Sequence, residues 1–166
     1  MIEYPTKILL ATDGGADSVR AGQVAVALAD KHEAELHVVH VGQAASSTSG
    51  VTVEGGGLPG EPPGYAERQA EKLLEGQVEQ LGSIGGTVTE SHLRMGQSAA
   101  EVITLSEELG ADLLVVGSGG PRPVRRVLAA TTRRPAIGRV SEVIVRTAPC
   151  PVLVVRGEAV PDVAST

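Results

Sequence analysis

The 166-residue chain has no Trp and no Phe, and its only Tyr residues are Tyr4 and Tyr65. Its core must therefore be assembled from Val, Leu, Ile and Ala. Stacking platforms for single-stranded nucleic acid need rings for the bases to lie on, so that partner class is disfavoured. Cysteine is nearly absent too. Cys150 stands alone between Pro149 and Pro151, which excludes a disulfide framework, fits a reducing compartment and suits a small core residue. No apolar run approaches the length of a membrane span. The opening MIEYPTK lacks the basic start and apolar stretch of a signal peptide. These absences predict a cytoplasmic protein with neither membrane nor nucleic-acid partners. Hydrophobic content of 42% and charged content of 20% fit one globular domain large enough to bury a core.

One further absence is local. No Asp or Glu occurs from Leu113 to Ser141, whereas Arg122, Arg125, Arg126, Arg133, Arg134 and Arg139 all fall there. The net charge is −6, and outside that stretch 8 basic residues face 20 acidic ones. Such asymmetry suits either an anion site on an acidic body or a solvated arginine-rich loop.

The residues present alternate between two periods. Lys7–Ala11 and Glu35–Val41 read as strands, and Asp112–Gly117 is a continuous apolar run of the kind buried on both faces of a parallel sheet. Thr87–Leu93 reads as a weaker strand near a sheet edge, and Pro151–Val155 as the last strand. Between them lie helical patterns. One runs from Asp17 or Ser18 to Lys31, with Val24, Ala25, Leu28 and Ala29 on one face. Another spans Tyr65–Leu81, with Leu73, Leu74, Val78 and Leu81 as its stripe. The third runs from Ser98 to Leu109, and the fourth covers about Arg139–Thr147. Asp17 or Ser18 is the expected N-cap of the first helix, Ser98 to Glu101 reads as a capping box, and Gly110 suits a helix end. Gly42–Gly64 holds seven glycines and three prolines and reads as a long aperiodic loop.

The alternation predicts an α/β domain over 1–157, with helices on both faces of a five-stranded parallel sheet. If its order is 3-2-1-4-5, as in a doubly wound fold, the ends of the first and fourth strands flank the point where the winding reverses. A disordered tail is expected at 158–166. Ligands of such sheets bind beyond the carboxyl ends of the strands where the winding reverses. That places "ATDGGADS" (Ala11–Ser18) opposite Gly117-Ser118-Gly119-Gly120 and the Gly138-Arg139-Val140-Ser141 helix start. Glycines there allow backbone amides to approach a phosphate. The Walker lysine and the dinucleotide fingerprint are both missing.

The segments KILLATDGGADSVRA, ELHVVHV, GQSAAEVITLSEELGADLLVVGSGG and GRVSEVIVRTAPCPVLVVR together resemble the universal stress protein family over nearly the whole length. The resemblance implies a Rossmann-like fold and a homodimer formed through the last strand, Pro151–Val155. Part of that family binds ATP and part does not. Carried over, its nucleotide site falls on Ala11, Thr12 and Asp13, with Asp13 suited to ribose hydroxyls. Val41 would face the adenine edge, Val116 and Gly117 the ribose side, and Gly120 the phosphates. Gly138, Arg139, Val140 and Ser141 open the last helix. Mg2+ or Mn2+ would enter only with the nucleotide.

The family's ATP pattern is G-x2-G-x9-G followed by Ser or Thr. Here seventeen residues separate Gly120 from Gly138, eight more than in that pattern, and Arg139 holds the hydroxyl position. The insertion, 118–137 with its flanks, carries Pro121, Pro123 and Pro135, which disfavour a long helix. Either arginine replaces the lost hydroxyl as phosphate ligand, or the cradle is broken and the protein is an interaction module without ATP.

"ATDGGADS" also resembles the SGGxDS pyrophosphate loop of adenylating enzymes, but a carboxylate at Asp13 would repel a leaving pyrophosphate. No nucleophile–base pair is legible, so no catalytic residue is expected and ATP hydrolysis would be slow at most. His37 and His40, three apart in a strand, point to opposite faces, and His32 and His92 read as isolated, so no metal site is expected.

Overall fold

The computed structural model describes residues 4–43, 62–119 and 137–157. Most of the glycine-rich loop, the arginine-rich insertion from Gly120 to 136 and the tail 158–166 lie outside the described residues. The strands are β1 (Lys7–Ala11), β2 (Glu35–Gly42), β3 (Glu90–Met95), β4 (Leu113–Gly117) and β5 (Val152–Val155). The helices are α1 (Ala16–His32), α2 (Tyr65–Ser83), α3 (Ser98–Leu109) and α4 (Arg139–Thr147).

All pairings are parallel, as the alternation of periods predicts, and the order is β3-β2-β1-β4-β5, the expected doubly wound order. Successive residues of β1 and β4 enter opposite core layers, which explains why both strands read as unbroken apolar runs. Ile8, Leu10, Leu113 and Val115 pack with Ala21 and Ala25 of α1 and with Leu74 and Leu81 of α2. Leu9, Leu114 and Val116 pack on the other side with Val102 and Leu105 of α3 and Ile144 of α4. Cys150 lies against this second layer, and burial pushes its thiol up from the ordinary value.

Several local expectations are corrected. β3 begins at Glu90 rather than Thr87, because Thr89 still belongs to the approach: its amide and hydroxyl bond the Leu36 carbonyl and amide at the start of β2. Leu73 is half exposed and leaves the stripe to Leu74, Val78 and Leu81. Gly15, not Asp17 or Ser18, caps α1, and Gln97 precedes α3, so Ser98 is already helical and makes no capping bond. Gly110 ends α3 with φ 63°, the left-handed conformation that glycine adopts without strain.

Candidate functional site

The carboxyl ends of β1 and β4 lie side by side, with Ala11 in register with Val116. β1 sits between β2, reached through α1, and β4, reached through α3. The winding reverses there, the position where sheets of this class open a ligand crevice. Thr12 leaves β1 under tight constraint. Its amide donates to the Val39 carbonyl (3.0 Å), its hydroxyl donates to Gln77 Oε1 (2.9 Å), and its carbonyl lies 2.9 Å from His40 Nδ1. Thr12 is therefore an anchor between β2 and α2. Asp13, the next residue, is exposed.

The turn after Asp13 is organised by its own carboxylate. Oδ1 accepts the Gly15 amide (2.8 Å) and the Ser18 hydroxyl (2.5 Å), and Ser18 Oγ in turn accepts the Asp13 amide (3.2 Å). Ser18, expected as a helix cap, thus braces the turn instead. Asp13 Oδ2 has no hydrogen-bond partner among the described residues. Val41 continues β2 beyond the last residue it shares with β1, Val39. Its backbone is oriented like that of Val39, whose carbonyl bonds Thr12, so the Val41 amide and carbonyl face the β1 side past the end of β1.

Across the crevice, Gly117 lies against the first turn of α1. A Cβ there would stand 2.8 Å from the Asp17 carbonyl carbon and 2.9 Å from the Ser18 amide nitrogen. The chain then turns at Ser118, whose hydroxyl donates to Asp17 Oδ2 (2.5 Å), and at Gly119, whose φ is 64°. Gly138 returns against it: its amide donates to the Ser118 carbonyl (2.6 Å), and a Cβ on Gly119 would meet the Gly138 Cα at 3.2 Å. Ser141, two positions later than the pattern asks, is buried and donates to the Gly117 carbonyl (2.7 Å). No side chain caps α4. Arg139 and Val140 are exposed at its start, and Arg139 forms no hydrogen bond or ion pair among the described residues.

Ala11, Thr12, Asp13, Val41, Val116 and Gly117 lie at the carboxyl ends of β1, β2 and β4, and Gly138, Arg139, Val140 and Ser141 at the start of α4, which returns against β4, while Gly120 lies outside the described residues. A family model described as the universal stress protein family matches residues 5–156. The chain belongs to that family. A putative universal stress protein of Staphylococcus haemolyticus is 33% identical over 98% of this chain and 90% of its own length. Universal stress protein YxiE of Bacillus subtilis is 31% identical over 90% of this chain and 98% of its own length.

Solved members share the fold at lower identity. The universal stress protein UspA from Lactobacillus plantarum superposes with a TM-score of 0.70 at 20% identity, covering 91% of this chain and 97% of the other. A universal stress protein in complex with cAMP gives 0.62 at 22%, covering 92% and 98%. A family protein from Arabidopsis thaliana with AMP bound gives 0.60 at 20%, covering 93% and 94%.

One cluster in this family member escaped the sequence reading. His92 is not isolated: its Nε2 lies 3.1 Å from Nδ1 of His37. The two residues are fifty-five positions apart, and only the β2–β3 register joins them. The available signal was the repeated Glu-x-His of Glu35-Leu36-His37 and Glu90-Ser91-His92 on two strands. His37 and His40 do face opposite layers, as their spacing predicts: His40 turns to Thr12 and His37 to His92.

Proposed function

We propose that this universal stress protein binds an adenine nucleotide in the β1/β4 crevice and uses occupancy to regulate a partner in the stress response. The observation that carries it is the Asp13 carboxylate at the carboxyl end of β1, its Oδ2 without a hydrogen-bond partner among the described residues, next to the end of β4, where the Gly117–Gly119 turn meets the Gly138–Ser141 start of α4. The AMP and cAMP held by structural neighbours support the ligand class. Asp13 Oδ2 accepts the ribose hydroxyls, while Oδ1 keeps the turn in shape. The Val41 backbone edge pairs with adenine, and Val116 and Gly117 form the ribose side. The amides of Arg139, Val140 and Ser141 and the Arg139 guanidinium meet the phosphate at the α4 N-terminus, where an anion is favoured. Gly120 adds a further amide from outside the described residues. Mg2+ or Mn2+ accompanies the nucleotide without protein ligands of its own. Binding shifts a conformational population rather than driving chemistry, and the protein works as a cytoplasmic homodimer joined along β5.

The fixed contacts favour the nucleoside over the phosphate chain. Gly138 N–H and the Ser141 hydroxyl, which could have served phosphates, already bond Ser118 and Gly117. AMP and ATP should therefore raise the melting temperature by similar amounts. Asp13→Ala should abolish that rise, and Arg139→Ala should reduce it. Equal rises in wild type and Asp13→Ala would overturn the ribose assignment. The same self-closed cradle favours a second reading, an interaction module without nucleotide. It takes the lead if ATP, AMP and cAMP all leave the melting curve unmoved and no nucleotide is released from the purified protein by acid.

A further inference from the structure

A second polar cluster lies at the opposite end of the sheet from the crevice. β2 and β3 run in register with His37 beside Glu90 and Val39 beside His92. The two Glu-x-His repeats therefore interlock on the α3 face. His37 Nδ1 and His92 Nε2 are 3.1 Å apart, and Glu90 Oε2 lies 4.0 Å from the first and 3.9 Å from the second. Behind them, Glu35 Oε2 is 3.4 Å from His37 Nε2 and 3.3 Å from Lys7 Nζ. The imidazole rings stack with centroids 5.4 Å apart and 20° between their planes.

A hydrogen bond between two neutral imidazoles would account for the short nitrogen separation alone. It does not account for a carboxylate placed almost equally far from both nitrogens, nor for a second carboxylate behind His37. Those are the parts of a metal site. Two nitrogens bound tetrahedrally to zinc at about 2.0–2.1 Å stand roughly 3.3 Å apart, close to the separation present. Glu90 needs to approach by only ~0.6 Å to reach the same spacing, and its exposed side chain is free to turn. Glu35 is placed to accept the Nε2 proton of His37, the outer carboxylate that fixes the tautomer of a ligating histidine.

Electrostatics agree with the geometry. Burial pushes His92 below the ordinary histidine value, with the charges of His37 and Arg94 acting in the same direction and those of Glu90 and Glu108 opposing. A lowered value favours the neutral ring, the form of imidazole that ligates a metal. The nearby cations are already engaged: Arg94 with Glu108, and Lys7 with Glu35 and the Leu109 carbonyl.

We propose that His37, His92 and Glu90 form a binding site for a divalent transition-metal ion of zinc-like character, independent of the nucleotide crevice. The two imidazoles and one carboxylate supply three ligands, and the fourth position is left to water on the exposed Glu90 side. Such a site clips the edge strand β3 to β2.

Zinc, titrated into the metal-stripped full-length protein against a chromophoric chelator, tests this. One equivalent should bind, and cobalt should give the intense visible absorption of a tetrahedral complex. His92→Ala should weaken zinc binding by about a hundredfold, and Glu35→Gln by about tenfold. Glu90→Gln, at an exposed side chain, provides a ligand variant that retains the fold and should also weaken binding. Cys150→Ser and Asp13→Ala should bind zinc as the wild type does, which separates this site from the lone thiol and from the nucleotide. Zinc left unbound at micromolar concentrations, or bound equally by Glu90→Gln and a folded His92→Ala, would overturn the site.

Discussion

The Ser141 hydroxyl donates a 2.7 Å hydrogen bond to the Gly117 carbonyl, fastening the first turn of α4 to the last residue of β4. Gly138 N–H donates to the carbonyl of Ser118, the residue after Gly117, so helix start and strand end are joined at two points. The hydroxyl that the family pattern places directly after the glycine acts here from two positions later, on protein rather than on a ligand.

Removing that hydroxyl should loosen the crevice. Ser141→Ala leaves the Gly117 carbonyl without this donor and should cost about 1–2 kcal/mol. Urea unfolding should show a lower midpoint with an unchanged slope. An unmoved midpoint would mean that water replaces the hydroxyl without loss.

Gly117 has no room for a side chain. A methyl group there would press on backbone atoms of Asp17 and Ser18, which cannot swing aside as a flexible side chain could. Gly117→Ala should therefore displace the start of α1 and destabilise the fold by roughly 1–3 kcal/mol. It should also disturb the Asp13 turn, because Ser18 belongs to both contacts. Amide exchange across 13–19 should rise above the wild-type rate; unchanged exchange would mean that the sheet yields instead.

Asp112 ties the start of the chain to β4. Its Oδ2 accepts from the amide and hydroxyl of Thr6 at 2.9 and 2.8 Å, and its Oδ1 accepts from the Lys7 amide at 3.0 Å. Burial alone would raise this carboxyl, but the donors from Thr6 and Lys7 outweigh it and hold the group below its ordinary value. The folded state thus binds the proton less well than the unfolded chain. The stabilisation is complete above the ordinary aspartate range near pH 4 and disappears as pH falls through the lowered folded value. Asp112→Asn should lower stability at neutral pH by about 1–2 kcal/mol and flatten the acid limb of the pH–stability curve. An acid limb identical to that of the wild type would assign it to other carboxylates.

The proposed dimer has a sharp test at β5. This edge strand shows Leu153 to solvent, and Val140 and Val143 of α4 are exposed as well. An uncovered apolar edge invites strand pairing, which a charge suppresses. Light scattering should report a dimer for the wild type and a monomer for Leu153→Lys. A dimeric Leu153→Lys would move the interface elsewhere, and a monomeric wild type would remove it.

Apolar periodicity by itself determined the order of elements and the parallel sheet, and the family resemblance implied the doubly wound order that sets where the winding reverses. Burial on both faces leaves a continuous Val/Leu/Ile signature in β1 and β4, and with almost no aromatics nothing obscures it. Local chemistry was less well determined. Ser98-Ala99-Ala100-Glu101 reads as a cap, and Ser18 as another. Yet a hydroxyl takes whichever backbone or carboxylate partner the packed chain presents, and for Ser18 that was Asp13.

Only the tertiary structure decided which distant residues meet. The β2–β3 register brought His37, Glu90 and His92 together, because a strand pairing is fixed by the faces both strands must bury. The return of the chain at Gly138 set Ser141 on Gly117. The Glu-x-His repeat hints at the first and nothing local hints at the second, since each depends on the alignment of segments that the sequence holds far apart.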